Sequence, residues 1–256
     1  MNSNNELNPL VDIIIPNYNK GIFIDECINS VIRQTYKNWV LYIIDDASND
    51  DSKKYLKKYE NSKNINITYL KKNKGPYFCR NLALRRSTSE YIAFLDSDDY
   101  WFENKLTDQI NFMIKNNSSF SFSDYFSFFN NDKSNLKSTN LRHEFNFEDF
   151  INNSSINSST MILKRSIIGS TKFKNIKHED YLFKCEILKK NVIANKINKK
   201  LANYRILKTS RSANKLNNLI NLWYINKNYN HLNTYKNLKS LFFISINSLK
   251  KYGFKK

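Results

Sequence analysis

The chain has 256 residues, a hydrophobic fraction of 41% and a formal net charge of +18, which suits one large domain or one domain with an appendage. Its three cysteines are scattered, which disfavours a disulfide framework and fits a reducing cytosol. The polar stretch 1–9 does not resemble a signal peptide, and no run of about 18 apolar residues predicts a transmembrane helix.

Strands and helices alternate four times in the first hundred residues, which predicts βαβ units and a mainly parallel sheet with right-handed crossovers. Short β-branched and aromatic runs predict the strands, and apolar residues at helical spacing predict the helices. The predicted strands cover residues 11–15, 39–44, 65–70 and 91–95, and the predicted helices cover 23–34, 52–59 and 78–86.

The second half is predicted to mix helices with further strands. Residues 119–129 alternate Ser or Asp with Phe or Tyr, which is typical of a strand. Residues 130–139 are predicted to form a polar loop. The remaining predictions are helices over 102–115, 147–151 and 181–190, a basic loop over 171–177, strands over 159–163, 191–196 and 201–206, and helices from about 213.

Charge separates a C-terminal tail from the rest of the chain. Sixteen of the 41 lysines and arginines follow Glu186, but none of the 23 acidic residues does. This asymmetry predicts an anionic partner for the tail, either nucleic acid or membrane lipid. Two apolar stripes at helical spacing occur in the tail: Leu216, Leu219, Ile220 and Trp223, and then Leu238, Leu241, Phe242 and Leu249.

Acidic residues follow two of the predicted strands directly. Asp45 and Asp46 follow the second strand, and Asp96 and Asp98 follow the fourth. Ligands of open α/β sheets bind beyond the carboxyl ends of the strands. Clustered carboxylates repel one another unless a cation compensates, and Mg²⁺ or Mn²⁺ prefers such oxygen ligands. The alternative for each acid is to cap the helix that follows it.

Five motifs occur in order along the chain: Ile14-Ile15-Pro16-Asn17-Tyr18-Asn19, Ile44 to Asp50, Asn73-Lys74-Gly75 through Arg80-Asn81, Phe94-Leu95-Asp96-Ser97-Asp98, and His178-Glu179-Asp180. Taken together, they resemble the family 2 glycosyltransferases with the GT-A fold. The resemblance covers about residues 10–210 and implies a mainly parallel, Rossmann-like sheet flanked by helices. It also implies inverting transfer of a sugar from a nucleotide donor, usually a UDP-sugar, to an acceptor hydroxyl.

The resemblance assigns the donor site to residues from four of these motifs. Asp46 is expected to bind uracil, since a carboxylate can accept the N3–H of the base. An ordinary β-turn at residues 16–19 is the alternative for the first motif. The expected donor-binding residues are Pro16, Asn17, Tyr18, Asn19, Asp46, Gly75, Arg80, Asp96 and Ser97.

The resemblance also assigns a metal site and a general base. Asp98, together with Asp96, is expected to hold Mn²⁺ or Mg²⁺, which would neutralise charge on the leaving nucleoside diphosphate. Asp180 is expected to take the proton of the acceptor hydroxyl. The adjacent Glu179 is expected to assist by raising the pKa of Asp180. The alternative for this pair is an acidic helix N-terminus favoured by the helix dipole.

The predicted organisation is a GT-A domain over residues 1–212 and a basic helical tail over 213–256. Residues of about 10–100 form its nucleotide-binding half, and 101–212 form its acceptor half. Expected partners are a nucleotide-sugar donor and a glycan or glycolipid acceptor of surface-glycan synthesis, but no nucleic acid. The tail either docks on the domain or on a second copy, or binds the anionic inner face of the cell membrane from the cytoplasm.

Two other functions compete with this interpretation. A sugar nucleotidyltransferase shares a related sheet, but it normally needs a glycine-rich loop after the first strand, and residues 16–21 contain one glycine. A non-catalytic protein could bind acidic polymers through the basic tail with steep salt dependence. That function leaves the acidic residues at the strand ends unexplained, since they would repel phosphate in the absence of a metal.

Overall fold

The computed structural model describes residues 8–207 and 215–252. All ten strands of these residues belong to one sheet. Its order is β3-β2-β1-β4-β9-β6-β10-β5, with β7 beside β6 and β8 beside β10. The strands are β1 Val11–Asn17, β2 Trp39–Asp45, β3 Ile65–Tyr69, β4 Tyr91–Phe94, β5 Tyr100–Trp101, β6 Phe120–Phe129, β7 Asp132–Ser138, β8 Glu144–Phe145, β9 Ile162–Lys164 and β10 Ala194–Ile206.

The four N-terminal strands of the sheet run parallel, and β10 runs parallel to β6. The short strand β9 joins the halves by pairing antiparallel to both β4 and β6. The predicted α/β class with a mainly parallel sheet is therefore confirmed. The helices are α1 Gly21–Ile32, α2 Ser52–Leu56, α3 Pro76–Arg86, α4 Lys105–Lys115, α5 Phe147–Ile151, α6 Arg165–Ile168, α7 Glu179–Leu188, α8 Lys215–Asn228 and α9 Thr234–Tyr252.

Helices cover both faces of the sheet because successive side chains of a strand point to opposite faces. Ile13 and Ile15 of β1 belong to a core cluster shared with Ile24 of α1. Ile14, between them, belongs to the other cluster, which includes Phe183 of α7. Burial on both faces explains why β1 is an almost continuous apolar run.

The first predicted strand ends two residues too early. Proline was expected to end it, but β1 continues through Pro16, which lies opposite Ile44 of β2. Pairing with β4 stops at Ile14 and Phe94. The missing N–H of Pro16 therefore faces the side where no strand remains, and the proline removes no hydrogen bond from the sheet.

Two segments of the second half differ from prediction. Residues 130–139 contain strand β7, whose side chains are all exposed, so no apolar alternation marks it. The strands predicted over 191–196 and 201–206 are one strand, β10, with register shifts between Ile197 and Ala202. Exposed polar residues at these irregularities interrupt the apolar pattern, so the sequence there resembles that of a loop.

Smaller differences concern element ends. The helix predicted from residue 102 begins at Lys105, because Tyr100–Trp101 pairs with β10. The strand predicted over 159–163 is a 3₁₀ turn, Ser158–Thr160, followed by β9. The predicted boundary at 212/213 lies outside the described residues.

The helices α8 and α9 dock on the hydrophobic core through a face that combines apolar and polar side chains. Ile225 and Ile244 join the core cluster beside α5 and α7. The Tyr181 hydroxyl donates to Asn226 Oδ1 at 2.8 Å, and Asn226 Nδ2 donates to Ser240 Oγ at 3.1 Å. Only part of the predicted apolar stripes belongs to this face: Leu241 packs against the core, whereas four residues are exposed: Leu216, Ile220, Leu238 and Phe242.

Truncating Ile225 tests this docking. Ile225→Ala is expected to lower the free energy of unfolding by about 2–4 kcal/mol, because a fully buried isoleucine leaves a cavity. Ile220 lies five residues earlier in the same helix and is 58% exposed, so Ile220→Ala should change the free energy of unfolding by less than about 0.5 kcal/mol. Urea unfolding of both variants measures the difference. Equal effects would show that α8 does not pack as described.

Candidate active site

The candidate site lies where β1, β2 and β4 end at one edge of the sheet. Because these strands are parallel and adjacent, their carboxyl ends bring three loops together. The loops contain residues 17–20, 45–50 and 95–99. The N-termini of α3 and α7 adjoin them through hydrogen bonds described below.

Asn17 and Asp45 fix the first two loops to each other. Asn17 Nδ2 donates to Asp45 Oδ1 at 2.8 Å, and both residues are buried. The amide and hydroxyl of Ser48 donate to the same carboxylate, and Ser48 Oγ accepts the Asn19 amide at 3.0 Å. Asn17 therefore positions the loop, whereas the neighbouring Tyr18 is 45% exposed and remains accessible to a ligand.

Asp46 holds the turn that precedes α3. Its two carboxylate oxygens accept the amides of Lys74 and Gly75, each at 2.7 Å. Gly75 has a φ of +85°, which favours glycine because an L side chain would be strained there. Asp46 is itself buried, and it brings the predicted Gly75 beside the β2 loop.

Arg80 connects the β4 loop to α7. Its Nη2 donates to Asp96 Oδ1 at 2.6 Å and its Nη1 donates to Glu179 Oε1 at 2.8 Å. Arg80 and Glu179 are both buried. Burial opposes the charge of the guanidinium, but Asp96 and Glu179 outweigh it and raise the pKa of Arg80. Residues far apart in sequence therefore form one ionic cluster.

Asp98 is paired with a residue from the β1 loop. Lys20 Nζ lies 2.9 Å from Asp98 Oδ2. Burial raises the pKa of Asp98 above its ordinary value, and Lys20 opposes that rise. Asp99, next in sequence, is a structural residue: it accepts the Ser159 hydroxyl and the Arg205 amide.

The carboxylates of Asp96 and Asp98 suit a divalent cation only if the substrate supplies further ligands. In residues 8–207 and 215–252, no three His, Cys, Asp or Glu side chains form a metal-binding group. Asp96 and Asp98 are each neutralised by a basic side chain. A cation held by one or two carboxylates and completed by phosphate oxygens fits these residues. A metal cage built by the protein alone does not.

Asp180 lies beside two residues that the sequence did not suggest. Lys184 Nζ donates to Asp180 Oδ2 at 2.8 Å, and the Ser158 hydroxyl donates to the same oxygen at 3.1 Å. Burial raises the pKa of Asp180, but Lys184 and Arg80 outweigh burial, so the pKa is held well below its ordinary value. The expectation of a raised pKa is therefore wrong, because these cations lower the pKa by more than burial raises it.

Sequence reasoning missed Lys20, Ser158, Lys184 and Arg205. Lys184 follows Asp180 by four residues in a helix, a spacing that could have indicated the pair. Arg205 is buried and donates from Nε to the Asp98 carbonyl at 2.9 Å. It lies 107 residues away in sequence, and nothing in its local sequence indicates the contact. The same is true of Lys20 and Ser158.

Removing Lys184 should change the pH dependence of activity. Lys184→Met is expected to raise the pKa of Asp180, so the acidic limb of kcat/KM moves to higher pH. Lys189 is exposed and is the first residue after α7, so Lys189→Met is the control and should leave the acidic limb in place. A pH profile of each variant provides the measurement. An unmoved limb in Lys184→Met would show that Asp180 does not set it.

A parallel sheet with carboxylates at its strand ends, and an acid pair on an adjoining helix, defines an α/β enzyme that binds its ligand at that edge. The family model described as Glycosyl transferase family 2 matches residues 12–172. The chain belongs to this family, and it is a glycosyltransferase.

Curated relatives share about a third of the residues over most of the chain. One is the putative teichuronic acid biosynthesis glycosyltransferase TuaG of Bacillus subtilis, 35% identical and covering 77% of this chain and 79% of the relative. Another is the Escherichia coli protein WfgD, a UDP-Glc:alpha-D-GlcNAc-diphosphoundecaprenol beta-1,3-glucosyltransferase, 36% identical over 72% of each chain.

Solved structures share the fold at low sequence identity. Staphylococcus aureus TarS 1–349 in complex with UDP-GlcNAc superposes with a TM-score of 0.71 at 20% identity, covering 94% of this chain and 72% of that chain. The mannosyltransferase PcManGT of Pyrobaculum calidifontis, in complex with GDP-Man and Mn²⁺, gives 0.68 at 14% identity, covering 97% and 76%. The likeness confirms the predicted GT-A fold.

Proposed function

We propose that this glycosyltransferase transfers a sugar from a UDP-sugar to a hydroxyl of a lipid-linked surface glycan, with inversion at the anomeric carbon. The bridge from Asp96 through Arg80 to Glu179 carries the proposal, since it fixes the predicted donor loop against the helix that bears Asp180. The names of TuaG and WfgD support a surface-glycan acceptor, and that of WfgD supports UDP-glucose as the donor class.

The donor base is proposed to bind between the β1 and β2 loops. Tyr18 offers an exposed aromatic ring. Asp46 is buried and both of its oxygens accept backbone amides, so the proposed contact with the N3–H of uracil uses a further lone pair of that carboxylate. The hydrogen bonds from Asn17 and Ser48 to Asp45 keep the two loops in fixed register. Such preformed loops reduce the ordering cost of binding.

Asp98 and Asp96 are proposed to hold Mn²⁺ or Mg²⁺ jointly with the donor diphosphate. The cation would supply Lewis-acid stabilisation of the negative charge that develops on UDP. Asp98 must first leave Lys20, whose ammonium would then be free to meet a phosphate oxygen. Arg80 and Arg205 keep the 96–99 loop in place during this exchange.

Asp180 is proposed to accept the proton of the acceptor hydroxyl. The acceptor oxygen forms a bond to the anomeric carbon on the face opposite UDP, the bond from that carbon to the phosphate oxygen breaks, and UDP departs with the electron pair. Lys184 and Arg80 keep Asp180 ionised at neutral pH, which is its proton-accepting form. Ser158 orients the carboxylate by donating to Oδ2.

The proposed acceptor side is formed by residues 101–207, and the proposed location is the cytoplasm at the inner face of the membrane. A lipid-linked acceptor would be presented there. Homo-oligomerisation through the helical tail is the alternative use of its exposed surface.

A nucleotide-sugar panel tests the proposed function. The full chain is incubated with Mn²⁺ and UDP-glucose, UDP-GlcNAc, UDP-galactose or GDP-mannose, and released nucleoside diphosphate is measured. We expect slow hydrolysis of at least one UDP-sugar and faster release with a diphosphoprenyl-linked sugar acceptor. Release from GDP-mannose alone would overturn the donor class. Formation of pyrophosphate from UTP and a sugar 1-phosphate would identify a nucleotidyltransferase.

A further inference from the structure

We propose that the outward face of α8 and α9 docks on an anionic lipid surface. Fourteen large apolar side chains are exposed in the part of the chain that the structure describes, and seven of them belong to these two helices. The seven, which we call the hairpin face, are 41–75% exposed: Leu216, Ile220, Tyr224, Tyr235, Leu238, Phe242 and Phe243. A patch of this density on a folded domain marks an interaction site.

The hairpin face lies opposite the docked face of each helix. In α8, Leu216, Ile220 and Tyr224 recur every four residues, whereas the buried Leu222 and Ile225 point to the core. In α9, Tyr235, Leu238 and Phe242 share a side at spacings of three and four. Since α8 and α9 also pack on each other, their outward sides form one surface that points away from the sheet.

The positive charge of α8 and α9 favours an anionic partner. Lys227 and Lys239 are exposed at the same helical angles as the apolar residues, and no acidic residue follows Glu186. Lys236, at the edge, pairs with Glu148 of α5 at 3.2 Å and is partly neutralised. A basic rim around apolar side chains fits the headgroup boundary of an anionic bilayer.

A second copy of the chain and a nucleic acid fit this surface less well. Two hairpin faces would bring lysine against lysine with no acid to compensate. A nucleic acid could stack bases on the four aromatic rings, but it would leave Leu216, Ile220 and Leu238 without an apolar partner. No helix within 8–207 and 215–252 is long and apolar enough to cross a bilayer, so the contact proposed is at the surface.

The hairpin also contacts the catalytic helix directly. His178 Nε2 lies 3.1 Å from Asn218 Oδ1 of α8, and His178 immediately precedes Glu179 and Asp180. The Tyr181 hydroxyl donates to Asn226 of the same helix. A bilayer at the hairpin face would therefore be separated from α7 only by the hairpin helices. A lipid-linked acceptor has to reach α7, because that helix bears the proposed base, Asp180.

Sedimentation with vesicles tests the proposal without any donor or acceptor, so its outcome is independent of transfer. The full chain is mixed with vesicles of phosphatidylcholine alone, or with phosphatidylglycerol added. We expect binding only with phosphatidylglycerol, and weaker binding as salt rises.

The variants carry substitutions and not a truncation, because α8 and α9 contribute side chains to the core. The apolar variant carries Ile220→Gln, Leu238→Gln and Phe242→Gln, and the charge variant carries Lys227→Gln and Lys239→Gln.

Matched controls carry the same chemistry elsewhere on the surface. Leu136→Gln with Ile193→Gln controls for exposed apolar residues, and Lys57→Gln with Lys63→Gln controls for charge. Each hairpin variant should weaken partitioning about tenfold or more, at about 1 kcal/mol for each lysine near the surface, while the controls stay near wild type. Melting temperatures establish that all variants are folded.

Two results would overturn the proposal. One is a wild-type chain that stays in the supernatant at low salt with phosphatidylglycerol vesicles. The other is a lipid-free dimer, seen by sedimentation velocity, that the apolar variant converts to monomer while vesicle binding is unchanged. That second result would assign the hairpin face to another copy of the chain.

Discussion

Replacing Asp98 by asparagine is expected to reduce UDP-sugar hydrolysis about a thousandfold and to abolish Mn²⁺-dependent binding of UDP. The amide keeps the shape of the side chain but removes the charge that would hold the cation against the diphosphate, which is worth several kcal/mol in the transition state. The fold should survive, because the substitution removes the charge of a partly buried carboxylate whose pKa is already raised by desolvation. Calorimetric titration of UDP with and without Mn²⁺ measures the loss.

Asp132→Asn is the matched control for Asp98. Asp132 is an exposed carboxylate in β7, outside the candidate site, and its loss should leave hydrolysis and UDP binding unchanged. If Asp98→Asn binds UDP with undiminished metal dependence, Asp98 is not the ligand and the proposed exchange with Lys20 is wrong.

Asp180→Asn is expected to lower transfer to the acceptor by about 10²- to 10⁴-fold, the usual contribution of a positioned base. Binding of the donor should persist, since Asp180 contacts Lys184 and Ser158 and takes no part in the loops around Asp46 and Asp98. Single-turnover transfer and UDP titration separate the two effects.

Glu179→Gln provides the comparison for Asp180. Glu179 is buried and binds Arg80, so its substitution should act on stability and on the Asp96 loop. Removing one partner of a buried pair costs about 3–5 kcal/mol at most. Transfer by Asp180→Asn within a few-fold of wild type would move the base elsewhere, with Glu179 the first candidate.

Strand positions in the nucleotide-binding half were predictable because its central strands, β1 and β4, are buried on both faces. Continuous apolar runs such as Ile13–Ile15 and Tyr91–Leu95 leave little ambiguity, and the acidic residues after them mark the edge where the loops meet. The second half was less predictable. Strand β7 has no buried face, and β10 contains irregularities whose polar residues resemble a loop.

The candidate site was predictable in its acids and in Arg80, but not in its other cations. Asp96, Asp98, Glu179 and Asp180 stand in recognisable motifs, whereas their partners come from distant segments. Lys20 and Arg205 reach the 96–99 loop only once the sheet has formed. The direction of the pKa shift of Asp180 is set by Lys184, four residues later in the same helix, and by Arg80, and not by the adjacent Glu179.

The melting temperature of the full chain with UDP, Mn²⁺, both or neither is the measurement that tests the central claim most directly. A ligand that binds only the native state stabilises it by about 2.7 kcal/mol at a hundredfold excess over Kd, and this stabilisation raises the melting temperature. The proposed joint site predicts a small effect of either ligand alone and a larger effect of both than the sum of the two. No rise with UDP and Mn²⁺ together would contradict a metal-assisted UDP-sugar site at Asp96 and Asp98.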